Sequence, residues 1–139
     1  MKRICFILIL FFSSSFDLKK NEIFVYSIPW YNSYLVDVTD QAIKSHGDAS
    51  FRFYKNKTTV KSLEKFISRI DTCKIIPDKN SMDVRVLIAF LIANERKEIS
   101  FDIFGDFNFQ GKIYSRNNYL LSLIEKDNLN IKWPLLTPN

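Results

Sequence analysis

Few side chains in this sequence are suited to acid–base or nucleophilic chemistry. There is a single histidine, His46, and it stands beside Gly47 and Asp48 in a polar segment. A Ser-His-Asp or Cys-His site would need it as the base, but its position favours a solvated histidine at a helix end. One imidazole and two cysteines cannot supply the usual ligand sets of zinc, and no glycine-rich phosphate or nucleophile motif is present. We therefore predict no catalytic residues, no metal and no cofactor.

Paired carboxylates are the remaining route to catalysis. Asp37 and Asp40 lie three residues apart, and Asp83 and Asp102 fall on neighbouring predicted strands. If the register allowed Asp83 and Asp102 to face each other, they would resemble the acid pair of a glycosidase. Isolated acids on wet strand faces usually serve solubility, and Asp83 shares a strand face with Arg85. A surface ion pair between these two residues is therefore the plainer interpretation.

Large aromatic side chains stand in irregular segments near both ends of the chain. Trp30, Tyr31 and Tyr34 follow a proline, and Trp133 precedes one. Such residues either cap the edges of a core or anchor a contact with a partner, since Trp and Tyr dominate interface energetics. These four residues are our predicted binding surface, with another protein as the partner.

The first 15 residues have the three-part layout of a secretory signal. Two cations come first, Ile4–Phe12 is an uncharged apolar run, and Ser13 and Ser15 are the small residues that a signal peptidase reads. The run is much shorter than the roughly 20 residues that span a bilayer. We predict cleavage after Ser15, a single mature domain over 16–139 with no stable membrane insertion, and a periplasmic or secreted location in a bacterium. The alternative is that the run forms a buried first strand.

The remaining composition limits the possible partners and cross-links. The formal charge is +5, and loss of Lys2 and Arg3 with the leader lowers it by two. This charge is too small for a nucleic-acid-binding protein, which carries a basic stripe or patch. Without Cys5, Cys73 has no partner for an internal disulfide. Its simplest interpretation is a small buried apolar side chain near a helix end.

Hydrophobic periodicity predicts a mixed α+β fold. The predicted strands cover 22–28, 50–54, 82–93, 97–104 and 107–114, and helices begin after Thr39, after Thr58 or Thr59, and after Ser115 or Asn117. The last three strands form an antiparallel meander, in which Gly111 bends or bulges the third. We expect an antiparallel sheet of about four to five strands with helices packed on one face, followed by an extended tail over 128–139.

These observations leave two functions open. The first is an exported, non-enzymatic protein-binding domain, a class that includes periplasmic immunity and inhibitor proteins. The second is a small-ligand-binding or carboxylate-based hydrolytic domain with a pocket over the meander. A deep cavity lined by Phe101, Phe109 and Tyr114 would favour the second function.

Overall fold

The computed structural model describes residues 17–126 together with Leu129 and Ile131. Within these residues the chain forms six strands and three helices, interrupted by a short 3₁₀ turn at Ile70–Thr72. The elements are β1 (Glu22–Ser27), α1 (Asp40–Ile43), β2 (Ser50–Lys55), α2 (Lys57–Ile67), β3 (Val86–Ile92), β4 (Glu95–Phe101), β5 (Phe107–Phe109), β6 (Lys112–Tyr114) and α3 (Asn118–Lys126).

All six strands join one antiparallel sheet in the order β2-β1-β3-β4-β5-β6. The mixed α+β fold is confirmed, but the predicted count of four to five strands is wrong. The segment 107–114 is not one bulged strand, because Gln110 and Gly111 both have positive φ, 52° and 80°. Two consecutive positive φ values make a tight hairpin turn that reverses the chain. β5 and β6 are therefore separate, paired strands.

Helices pack on both faces of the sheet, which corrects the prediction of helices on one face. β1 shows the alternation that divides the core, since Ile23 and Val25 point to one face and Phe24 to the other. α2 and α3 cover the first face through buried apolar residues such as Leu63 and Leu120. α1 covers the second face with Ile43, and its four residues are too few to show a periodic apolar stripe.

The helix starts follow side-chain capping. Thr39 caps α1 as predicted, because its hydroxyl accepts the N–H of Ala42 at 3.1 Å. α2 begins earlier than predicted: Asn56 is its cap and accepts the N–H of Thr59 at 3.0 Å. Each cap fixes the residue at which its helix begins.

The predicted leader (1–15) and most of the predicted extended tail (128–139) lie outside the described residues. The two described residues of the tail, Leu129 and Ile131, are buried in the core beneath α2 and α3. Among the described residues, none of the helices has both the length and the apolar content to cross a membrane.

Candidate functional site

The segment from Pro29 to Val38, which we call the aromatic loop, connects β1 to α1 and contains three of the four predicted site residues. It has no regular structure beyond a turn closed by the N–H of Asn32 on the carbonyl of Pro29 at 3.3 Å. A loop of this length needs anchors outside itself to hold one conformation.

Arg85 is the first anchor of the aromatic loop. Its side chain is buried, with only 6% of the residue exposed. Its Nη1 donates to the carbonyl oxygens of Asn32, at 2.7 Å, and of Pro29, at 3.4 Å. The guanidinium therefore satisfies two loop carbonyls that would otherwise be left unpaired close to the core.

Asp83 is the second anchor. It accepts from Nε of Arg85 at 3.0 Å and pairs closely with Nη2 of the same residue. Its other oxygen accepts the N–H of Val38 at 2.9 Å, at the far end of the loop. Two backbone bonds complete the frame: Ile28 donates to the carbonyl of Arg85, and Val84 donates to that of Val38. One ion pair thus holds both ends of the aromatic loop.

The predicted pairing of Asp83 with Arg85 is confirmed, but its description as a surface pair is wrong. The two residues precede β3, which begins only at Val86, so they do not share a strand face. Arg85 turns inward because the loop carbonyls are there to receive its donors.

Tyr34 lies under the Arg85 guanidinium, whose carbon is 5.0 Å from the ring centre. Its hydroxyl donates to Asp48 at 2.9 Å and accepts from Nδ2 of Asn32 at 3.1 Å. Partial desolvation raises the pKa of Tyr34, opposed by the hydrogen bond from Asn32 and reinforced by the Asp48 carboxylate. Tyr34 is thus half-buried and supports the loop.

His46 joins this cluster, which the sequence did not predict. Its ring meets that of Tyr34 edge-on at 4.7 Å, and its Nδ1 accepts the N–H of Asp48 at 3.2 Å. The histidine, predicted to be solvated at a helix end, is half-buried. Eleven residues lie between Tyr34 and His46 in the chain, and the turn through α1 brings them together.

The exposed part of the aromatic loop is apolar. Tyr31 is 86% exposed, Leu35 fully exposed and Val36 78% exposed. Of the other predicted site residues, Trp30 is half-buried against the core, and Trp133 lies outside the described residues. Leu35 and Val36 were not among the predicted site residues, because two adjacent aliphatic residues also fit a short strand.

The structure does not bring the proposed acid pair together. Asp102 is buried and accepts from Lys79 at 2.7 Å and from the N–H groups of Phe104 and Asp106. Asp83 binds Arg85 instead. Burial opposes the charge on Lys79, but hydrogen bonds to Asp102 and Asp106 outweigh it and raise the pKa of Lys79. Both acids thus serve structural ion pairs.

Cys73 follows the 3₁₀ turn and is half-buried. Burial raises the pKa of its thiol, against a hydrogen bond from Asn117 at 3.7 Å to Sγ. A thiol with a raised pKa is less ionised and hence less nucleophilic at neutral pH. This agrees with the structural interpretation of Cys73 better than with a reactive one.

A groove of about 580 Å³ lies between α1, the 75–82 segment and the β5–β6 hairpin. Asp40 lines it with one oxygen bound to Asn108 Nδ2 at 3.2 Å, while its other oxygen is buried without a hydrogen-bond partner. The residues expected to line a pocket, Phe101, Phe109 and Tyr114, are buried in the core on the other face. In the described part of the chain, no cluster of three or more His, Cys, Asp or Glu could hold a metal ion.

Comparison with family models, with curated proteins and with solved structures gives no match for this chain. The geometry of the aromatic loop and the groove is therefore the basis for inferring function.

Proposed function

We propose that this chain is an exported, non-enzymatic protein-binding domain whose contact surface is the aromatic loop. One observation carries the proposal: Tyr31, Leu35 and Val36 are exposed large apolar side chains on a loop whose two ends are fixed by the ion pair of buried Arg85 with partly exposed Asp83. Large apolar side chains exposed close together mark contact surfaces, whereas singly scattered ones do not.

The fixed loop ends support binding in a second way. A loop that is already ordered loses less conformational entropy on association, so more of its contact energy appears as affinity. Trp30, packed against the core beside the exposed residues, adds support from below. The small size and the predicted leader favour the class of periplasmic immunity or inhibitor proteins, which act by covering another macromolecule.

Binding is tested with the mature chain, residues 16–139, as bait in a periplasmic extract of the native host. The captured protein is identified, purified and titrated calorimetrically against the bait. A Tyr31→Ala, Leu35→Ser, Val36→Ser variant should bind at least about tenfold more weakly, since loss of one anchor side chain costs more than 1 kcal/mol.

The matched control carries Phe104→Ser and Tyr119→Ser, two changes at large exposed side chains elsewhere, each 57% exposed. It should bind like the native chain. Equal affinity of all three proteins would reject the aromatic loop as the contact surface. Export is tested separately, by determining whether the protein purified from its host begins at residue 16.

A second candidate, a small-ligand-binding domain, is favoured by the groove beside α1. This groove contacts the β5–β6 hairpin, which belongs to the predicted meander, but it lies on the face opposite to the expected aromatic pocket. Large concave sites with a few converging polar groups are where small ligands usually bind.

A further inference from the structure

We propose that the outer edge of β2 binds β2 of a second copy of this chain, so that two sheets join antiparallel about a twofold axis. The surface involved is the edge of the sheet, and the pairing rests neither on the aromatic loop nor on the groove beside α1. The direction of the backbone groups, the exposed side chains and the strand register each support it.

The backbone groups of β2 alternate between its two edges. In an antiparallel pair, opposite residues exchange hydrogen bonds at every second position. Asn56 donates its N–H to the carbonyl of Asn21 at 2.9 Å, and this residue pair continues the register of β1 with β2. The even-numbered residues of β2 therefore bond to β1. The N–H and C=O groups of Phe51, Phe53 and Lys55 point away from β1, to the outer edge.

The exposed side chains at this edge are aromatic. Phe51 is 45% exposed and Phe53 is 51% exposed. Both lie on the second face, where the ring centre of Phe24 is 5.3 Å from that of Phe51 and 5.9 Å from that of Phe53. Tyr26 extends this aromatic surface, with its ring centre 5.1 Å from that of Phe51. An edge strand that exposes large apolar side chains favours the addition of another strand.

The charges on β2 select one register for two copies. Ladder bonds form only where outward-pointing residues oppose each other. In one such register Arg52 lies directly opposite the partner's Arg52, and like charges in this position destabilise a strand pair. In the next register Phe53 lies opposite the partner's Phe53, and Phe51 opposite the partner's Lys55. Arg52 then faces the partner's Tyr54, and all the outward-pointing residues of β2 are paired.

The other edge of the sheet is less suited to a second copy. The 74–76 segment lies beside β6 there, through the bridge of Ile75 to Tyr114. In the part of the chain that the structure describes, β2 pairs with no strand except β1. Like edges therefore pair with each other, which gives the closed twofold symmetry that most homo-oligomers have. The aromatic residues of both copies come to lie side by side on the same face.

The association is measured by sedimentation equilibrium, with the chain starting at the N-terminus that it has in its native host. Two paired edge strands form an interface at the low end of the size range, so we expect a monomer–dimer equilibrium with a Kd on the order of 100 µM. The Phe53→Lys variant places two cations opposite each other and should associate at least about tenfold more weakly. The Phe104→Lys control adds the same charge at a side chain that is 57% exposed outside β2, and should associate like the native chain.

Two results of this measurement would overturn the proposal. One is a native chain that remains monomeric at about 1 mM, well above the expected Kd. The other is a Phe53→Lys variant that keeps its native circular dichroism spectrum and dimerises as strongly as the control, because the copies would then meet through another surface.

Hydrogen exchange of the native chain, followed by ¹⁵N NMR, tests the strand pairing without any substitution. The amides of Phe51 and Phe53 should exchange about threefold more slowly at about 1 mM than at about 50 µM, because exchange requires the monomer. The amides of Arg52 and Tyr54, which bond to β1, should exchange at rates that do not depend on concentration. Exchange at Phe51 and Phe53 that is independent of concentration, whether fast or slow, would reject β2 as the contact.

Discussion

Arg85 and Asp83 stand two residues apart, and their paired side chains hold opposite ends of the same loop. Arg85 takes the carbonyls of Pro29 and Asn32, while Asp83 takes the N–H of Val38. The pair is thus a structural clamp on the proposed contact surface, and its removal should affect stability and binding together.

Replacing Arg85 with methionine should lower the free energy of unfolding by about 2–4 kcal/mol. The change leaves two loop carbonyls without donors and leaves Asp83, whose side chain is 31% exposed, without its cation. Breaking a fully buried pair costs about 3–5 kcal/mol, and the partial solvation of Asp83 lowers that cost. Urea denaturation followed by circular dichroism measures the effect.

The Arg85→Lys variant should lose less stability than the Arg85→Met variant. Lysine keeps the positive charge, although it lacks the several fixed N–H donors of the guanidinium group. Arg69→Ala, at an exposed arginine, should change stability by less than about 0.5 kcal/mol. Wild-type stability of Arg85→Met would show that the clamp does not hold the fold.

Asp102→Asn should cost about 2–3 kcal/mol of stability. One oxygen of the buried carboxylate accepts both backbone N–H groups of the turn between β4 and β5, and the other binds Lys79. The amide keeps an acceptor for the turn but has no charge and no second acceptor for Lys79, and hydrogen bonds to charged groups are worth about 1.5–3 kcal/mol. Thermal and urea unfolding measure it, with Asp71→Asn, an exposed acid, as the control. A loss no greater than that of the control would contradict the structural role.

Gly111→Ala should destabilise the protein by about 1 kcal/mol, because φ at Gly111 is +80° and side chains other than glycine are strained there. Nothing lies within 4 Å of an added Cβ, so the cost comes from the backbone alone. Gly47→Ala is the matched control: it also meets no atom, and its φ is not positive. It should be neutral or slightly stabilising. Equal effects at both sites would contradict the β5–β6 hairpin turn.

Stability should fall on the alkaline side of about pH 10. Burial, followed by the charges of Asp71 and Cys73, raises the pKa of Tyr114, and the pKa of Lys79 is also raised. A raised folded-state pKa means that the unfolded chain loses its proton first, so the stability is present below the unfolded pKa and is lost as pH rises through the folded one. Unfolding midpoints between pH 7 and 11 measure the loss.

Tyr114→Phe should make that alkaline loss shallower, since the variant has no phenol to titrate at this position. The Tyr31→Phe variant, changed at an exposed residue of the aromatic loop, should lose stability with rising pH as steeply as the native protein does. A variant at Tyr114 with an unchanged pH profile would exclude its contribution.

The sequence predicts the parts of this fold that depend on local pattern. The alternation around β1 and the spacing of Val60, Leu63 and Phe66 at every third residue in α2 are of this kind. The split between β5 and β6 was missed because a glycine inside an apolar segment is also typical of a bulge. Which face of the sheet α1 covers depends on the path of the chain between β1 and β2. A helix of four residues is too short for its sequence to predict that path.

The candidate site was only partly predictable for the same reason. Trp30, Tyr31 and Tyr34 were selected by residue type, which cannot distinguish an exposed anchor from a half-buried support. The clamp needs Arg85 to meet carbonyls more than fifty residues earlier in the chain. Every residue has the same backbone carbonyl group, so no sequence pattern shows which carbonyls will accept hydrogen bonds from a buried guanidinium.

The two edge strands of the sheet, β2 and β6, differ in what lies beside their outer edges. β6 is covered by the 74–76 segment, through the bridge of Ile75 to Tyr114 and the bond from Ile76 to the carbonyl of Ile113. Among the described residues, β2 pairs with β1 alone. The 74–76 segment takes up backbone hydrogen-bonding groups at the β6 margin, so a further strand would find fewer groups to pair with there.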